Sequence, residues 1–372
     1  MITRPKLARL VVAVTIGASL LAACTPPPPP TPQQQIDQII AFVEAVRGHP
    51  FPQRPEVTFL DDASFRAAVL AAVAEAEPDV DVAEVAFRAL GWIAPTADLF
   101  DLYQIAFGGG VVGFYNPETG ELVVRGTELT PYRREVIAHE LTHALDDQLF
   151  GLDEDFGDGL LGERTFAALV AIEGSAERVR QAYFGSMTGL EQVASILEQL
   201  TAGADPALLS VPLALLTFTQ APYLRGPAFL SELIGAVGSA GAVDDALTRY
   251  PATAEQAFDV AKYLSEEAAV PVPTPPADGP VVWSGSWGQF LLTLLLNNGL
   301  ALDQVDARTN GWAGDAAVTW TNGTQSCLRL DTRMDTATQA DTLRAGLQAW
   351  AVGRNATVSP LDPETVRLSV CA

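Results

Sequence analysis

The chain has 372 residues, of which 48% are hydrophobic and 18% charged. That balance supplies a sizeable core and excludes an intrinsically disordered chain. A formal net charge of −23 excludes a binder of phosphate backbones, so nucleic acid is not an expected partner.

Arg4, Lys6 and Arg9 form a basic start, and the apolar run at 10–23 is shorter than a comfortable bilayer span. It ends in "LAAC", Leu21 to Cys24, which resembles the bacterial lipobox. The resemblance implies cleavage before Cys24 and lipidation of that cysteine. The run "TPPPPPTPQQQ" then offers a stiff tether with no core-forming side chains. Residues 1–23 are therefore expected to be a lipoprotein signal peptide and 24–35 a lipidated cysteine with its tether. The protein is then extracytoplasmic and anchored in a bacterial cell membrane, with the lipid bilayer as a partner. With Cys24 committed, Cys327 and Cys371 remain as an even pair in an oxidising compartment, where a disulfide is the expected state.

Residues 36–101 read as helical throughout, in "IDQIIAFVEAVRG", "DASFRAAVLAAVAEAE" and "VAEVAFRALGW". Two β-rich runs in "VVGFYNPETGELVVRG" flank Asn116-Pro117-Glu118-Thr119-Gly120 and predict a hairpin. Thr130 predicts a helix cap, with Pro131 in the first helical position. After the acidic, glycine-punctuated "DEDFGDGLLG", a second long helix is predicted over 164–184, and helical segments continue to about residue 269. "LLSVPLALLTF" is broken by Pro212 and "FLLTLLL" is short, so both read as buried helices and not as membrane spans. A proline-rich connector at 271–280 separates a domain over 36–270 from a C-terminal α+β segment over 281–372. That segment opens with the helix "SWGQFLLTLLLNN" and continues as ββαβ. Its hairpin "AVTWTNGTQSCLRL" is predicted to turn at Asn322-Gly323, its helix is "TATQADTLRAGLQAWA", and "TVRLSVC" is the closing strand. A Cys327–Cys371 bridge would tie that strand to the hairpin.

The chemistry concentrates in a chain with only three histidines. Two of them stand four apart in His139-Glu140-Leu141-Thr142-His143, which fits H-E-x-x-H on a helix. At 3.6 residues per turn both imidazoles reach one ion, and zinc is the expected cofactor. Glu140, rotated by about 100° from His139, is placed to act as a general base on water. The other histidine, His49, lies in the turn-like "RGHPFPQ" and reads as structural. On the second helix Phe166, Leu169, Val170, Glu173 and Glu177 recur along one face, so two carboxylates continue an apolar stripe. A buried carboxylate is costly unless paired or metal-bound. Glu173 as third metal ligand resolves that conflict, and Glu177 is expected to accept the second ring proton of a ligating histidine.

"HELTH" followed by "AIEGSAE" resembles the gluzincin clan of zinc metallopeptidases. "APYLRGPAFLSELIGAVGSAG" is similar to the segment of gluzincin aminopeptidases in which a tyrosine, soon followed by glycine, stabilises the tetrahedral oxyanion. On that match Tyr223 takes the role. The layout also resembles a group of largely uncharacterised bacterial secreted and lipoprotein metallopeptidase-like proteins, through "GFYNPETGELVVRG", "HELTHALDDQLFGL", "YPATAEQAFDVAKYL" and "GWAGDAAVTW". Members of that group carry a histidine near the position that Asp259 holds here. The resemblance implies an α+β, mainly helical fold with a thermolysin- or gluzincin-like core and the C-terminal ββαβ subdomain. It implies zinc-dependent hydrolysis of peptide bonds in a peptide or protein substrate, with the edge of "ELVVRG" offered to an extended peptide by analogy. The alternative is a catalytically weak or inactive zinc-binding envelope protein that acts through a partner.

Overall fold

The computed structural model describes residues 29–152, 159–202, 206–300 and 305–372. Cys24 and most of the signal and tether lie outside these residues, as do positions 153–158 of the acidic loop. The fold is α+β, with about 55% helix and 15% strand. It opens with α1 (Pro32–Arg47), β1 (Val57–Leu60), α2 (Asp62–Ala74), α3 (Glu77–Ala89) and α4 (Leu99–Gly110). The hairpin β2 (Gly113–Asn116) and β3 (Glu121–Arg125) leads into three helices, α5 (Pro131–Phe150), α6 (Glu163–Ser186) and α7 (Gly189–Ala202). After a 3₁₀ turn at Pro206–Ser210 come α8 (Leu213–Val237), α9 (Ala242–Thr248), α10 (Ala254–Phe258) and α11 (Val260–Leu264). The rest is β4 (Val281–Gly285), α12 (Gly288–Leu296), β5 (Trp312–Asn322), β6 (Gln325–Met334), α13 (Ala337–Ala351), β7 (Ala356–Pro360) and β8 (Thr365–Cys371).

Local chemistry explains the helices around the site. The Thr130 side chain accepts the Arg133 N–H and Pro131 occupies the first turn, so α5 starts where its sequence says it should. Helix α6 runs antiparallel to α5, with Arg180 reaching Glu135 near one end of α5 and Ser175 reaching Asp146 near the other. Helix α8 meets α6 backbone to backbone. A Cβ on Gly174 would lie 2.6 Å from the carbonyl carbon of Gly226, and one on Gly226 would lie 2.4 Å from the Val170 oxygen. No side chain fits between them. This approach sets Tyr223, one turn before Gly226, beside Glu173. Pro222 and Pro227 both lie inside α8, and Pro227 cannot return a hydrogen bond to the Tyr223 carbonyl.

The reading of 36–101 as uniformly helical misses β1. The four residues "VTFL" pair in parallel with β3, giving a three-stranded sheet in the order β1-β3-β2. A four-residue strand held by a distant partner leaves too short a run for alternation to register. One consequence corrects a functional expectation. The strand "ELVVR" is central and bonded on both edges, so it has no edge to offer a peptide. The edge strands are β1 and β2.

The C-terminal sheet has five antiparallel strands in the order β4-β5-β6-β8-β7, so ββαβ understates it by two. Asn322 pairs with Gln325, which makes Gly323 and Thr324 the turn. Gly323, at φ +62°, takes the first central position, as in type II′ hairpins, and the turn is displaced by one residue from Asn322-Gly323. Cys327 and Cys371 stand directly opposite in register and are disulfide-bonded, with Cα atoms 4.1 Å apart. The main apolar core is continuous across the chain. It runs from Phe87 on α3 through Phe166 and Phe229 to Phe290, Leu330 and Leu368. Phe166 of α6 stacks on Phe290 of α12 at 4.0 Å. Among the described residues no single helix is long and apolar enough to cross a membrane.

Candidate metal centre

Helix geometry puts the two imidazoles of α5 together. Their Nε2 atoms lie 3.0 Å apart, and the antiparallel α6 brings Glu173 Oε2 to 3.2 Å from His139 Nε2 and 3.4 Å from His143 Nε2. Three donor atoms thus form a near-equilateral triangle. A tetrahedral ion with bonds of about 2.0–2.1 Å needs edges of about 3.3–3.4 Å, close to what these atoms provide. His139, His143 and Glu173 fit a metal ion. Two imidazoles and one carboxylate suit the borderline transition metals, zinc among them, better than magnesium or calcium.

The electrostatics point the same way. Burial works against a charge on His143, but the Glu173 and Glu140 carboxylates outweigh it and push the imidazole up to about 9. Burial would raise Glu173, yet His143 and His139 hold its carboxyl well below the usual range. The pocket is therefore built to keep positive charge among its donors.

Glu140 is buried, and burial pushes its carboxyl upward against the pull of His139 and His143. Its Oε2 accepts the Tyr115 N–H at 3.0 Å. Arg125 N–H donates to the Val112 carbonyl, so strand alternation turns the backbone groups of Gly113 and Tyr115 away from β3 and toward α5. The sequence carried no sign of this Tyr115 contact, because a backbone donor leaves no residue signature.

Tyr223 lies beside the triangle. Its ring stacks on His139 at 5.9 Å with 20° between planes. Burial, then the negative charges of Glu173 and Glu140, push the phenol well above its ordinary value, and the hydroxyl hydrogen-bonds Glu173. It is a protonated donor at any working pH.

Glu177 does not make the hydrogen bond expected of it. Its Oε2 stands 3.8 Å from His139 Nδ1, and that nitrogen is buried without a hydrogen-bond partner. The carboxylate is instead taken by Arg180 through two contacts of 2.6 Å, and Arg180 also reaches Glu135 at 2.7 Å. The Glu177–Arg180 spacing of three on one helix is the signal that sequence reasoning passed over. A second unforeseen network lies one turn past His143. Buried Asp146 accepts from Arg47 at 2.8 Å and from Ser175 at 2.6 Å, tying α1 and α6 to α5. His49 is 2.7 Å from Asp244, which also binds Arg47, and it takes no part in the triangle. Asp259, where the resembling group has histidine, caps α11 through the N–H groups of Ala261 and Lys262.

Cavities meet at this centre. One of about 360 Å³ is lined by Gly113, Tyr132, His139, Glu140, Arg180 and Tyr223. A second, of about 230 Å³, is walled by Tyr103, Phe107, Phe166 and Phe218 and reaches Glu173 and Tyr223. The arrangement offers a metal-binding triangle, a buried carboxylate, a phenolic donor and room for a substrate on either side. No family model matches this sequence, and searches among curated proteins and solved structures return no match.

Proposed function

We propose that this protein is a zinc metallopeptidase with a gluzincin-like core, held at the outer face of a bacterial membrane by a lipid on Cys24. The observation that carries the reading is the convergence of His139, His143 and Glu173 on one point, with Glu140 beside it at the floor of an open cleft. Zinc bound there would supply Lewis-acid polarisation of the scissile carbonyl and offset the charge that develops on it.

The chain's own residues do the rest. Glu140, whose burial raises its proton affinity, takes the proton of the attacking water and passes it to the leaving amine. Tyr223 donates its hydroxyl hydrogen to the oxyanion, a bond made fully only in the transition state. The outward backbone groups of Gly113, at the start of β2, line the cleft and pair with an extended peptide, as sheet edges do. Tyr115 N–H meanwhile holds the Glu140 carboxylate toward the reacting atoms.

Elemental analysis of the purified protein should find about one zinc per chain. Glu173→Gln should lose most of it, and a chelator should stop cleavage of a mixed peptide library. Normal zinc content in Glu173→Gln would overturn the ligand assignment. Cys24→Ser should move the protein from the membrane to the soluble extracytoplasmic fraction, and unchanged membrane retention would place the anchor elsewhere.

A further inference from the structure

Helix α7 is amphipathic, but it faces the protein with its polar side. Arg134 donates to Glu191 at 2.6 Å, Gln192 to the Phe184 carbonyl at 3.0 Å, and Thr130 to Glu198 at 2.8 Å. Ser195, the one buried residue of the helix, hydrogen-bonds Glu135. The opposite face carries Leu190, Val193, Leu197 and Leu200, spaced by three and four residues and 85%, 55%, 59% and 67% exposed. Ile196 stands beside them, 46% exposed. In water the hydrophobic effect turns such a stripe toward the core. Its reversal implies an apolar phase outside the protein.

Two observations identify that phase as a bilayer. The first is where the chain enters. Helix α1 runs in the same sense as α5. Its last residue, Arg47, binds Asp146 toward the end of α5, while Phe42 meets Tyr183, which lies against Arg134 near the start of α5. The N-terminus of α1 therefore leaves at the end of α5 from which α7 hangs, by Thr130, Arg134 and Glu135. Seven residues separate Cys24 from α1, a reach of at most about 29 Å. The second is charge. The protein carries −23, yet both glutamates of α7 are turned inward and bonded, so its outer stripe holds no carboxylate. The stripe itself therefore brings no carboxylate to a lipid surface.

We propose that α7 is a membrane-docking helix whose Leu190, Val193, Leu197 and Leu200 stripe lies in the boundary between headgroups and acyl chains. The proposal rests on the reading of Cys24 as the lipid anchor, and it deepens the reading of the cleft. Gln199 of α7 and Tyr132 of α5 line the approach to the metal centre. Docking would hold that cleft within about one helix diameter, on the order of 10 Å, of the lipid surface. Its substrates are then peptide segments that run along or emerge from the membrane.

With Cys24 acylated and Cys327 bonded to Cys371, Leu197→Cys introduces a single free thiol. The full chain, processed in a bacterial host and labelled there with an environment-sensitive fluorophore, is reconstituted into phosphatidylcholine–phosphatidylethanolamine vesicles containing a doxyl-lipid quencher. A label at Val352→Cys, on the exposed end of α13, serves as reference. Quenching several-fold stronger at 197 than at 352 is expected, and Leu190→Asp with Leu200→Asp should abolish it while leaving cleavage of a short soluble peptide unchanged. Equal quenching at the two positions overturns the proposal. So does a label at 197 that is shielded in proportion to protein concentration but not quenched by lipid, which would mean a second copy covers the stripe. The mass of the N-terminal peptide reports acylation separately. A chain joined to chelating lipid by a hexahistidine tag in place of Cys24 reads the α7 contact even if Cys24 is unacylated.

Discussion

Helices α6 and α7 both pack against α5, α6 along its length and α7 across its first turns. On α6 the carboxylate of Glu173 is buried against two imidazoles, whereas that of Glu177 is held by Arg180. On α7 the leucines are left in solvent while the glutamates are bonded to the protein. Each helix departs from the pattern that water and a core alone would produce, and each departure implies something that the protein chain does not supply. For Glu173 on α6 the proposed answer is a cation among the donors; for α7 it is the proposed apolar medium beyond the surface. A departure from amphipathic order is thus informative in both directions.

The comparison breaks first at Glu140. If the buried carboxylates serve chemistry, Glu140→Gln should keep its metal and lose on the order of 1,000-fold in turnover, within the range for a displaced general base. Metal content and the single-turnover rate on a peptide found in the library would show it. An active Glu140→Gln would reduce the cluster to a structural one.

Tyr223→Phe keeps the ring on His139 and should leave folding and metal content nearly unchanged. Turnover should fall by roughly 100- to 1,000-fold with little change in substrate affinity, as for the loss of one oxyanion donor. A Phe variant of near-normal rate would return Tyr223 to a packing role.

Gly174→Ala probes how tightly α6 is held. Its Cβ meets the Gly226 backbone at 2.6 Å, so α8 must retreat, at a cost of about 3 kcal/mol or more. Urea unfolding should report that loss, and the displaced Tyr223 should lower activity further. An equally small substitution on the outer side of α7, Ala194→Gly, should cost only about 1 kcal/mol.

The smallest effect is a pH dependence on α7. Arg134, then Thr188, hold the Glu191 carboxyl at about 2, below its ordinary value of 4.5. The folded state favours the charged form. The contribution is therefore complete above about pH 4.5 and is lost as pH falls toward 2. With Glu191 about a third exposed, it amounts to less than about 1 kcal/mol. Amide protection factors should fall on α7 before α6 over that interval, and a simultaneous loss on both would deny α7 its independence.

Much of the centre was legible because it obeys helical spacing. Four residues separate His139 from His143, and the stripe from Phe166 to Glu177 marks the face of α6 that turns inward, save for Leu169, which is 38% exposed. The 281–372 segment was legible in its hairpin, helix and last strand, but "ATVSP" of β7 offers little alternation and ends in proline, so only pairing with β8 defines it. β1 escaped for the same reason. The partner of Glu177 was not legible because Arg180 competes with His139 for one carboxylate, and spacing does not rank competitors. The α7 stripe was periodic in sequence as well. Periodicity locates an apolar face; it does not say which way the face points.

The stacking of Phe166 on Phe290 has a consequence for the order of events during the proposed export. A chain threaded out from its N-terminus releases α6, with Glu173 on it, more than a hundred residues before α12. Until α12 arrives, Phe166 lacks its nearer ring and has only Phe258 stacked at 6.4 Å, so the core around α6 is open on the α12 side. The centre is therefore assembled late, after most of the chain has emerged. A chain ended at residue 280 should be cut within α6 by added protease, whereas the complete chain should resist. Chain order thus delays the proposed hydrolase until nearly all of it has emerged.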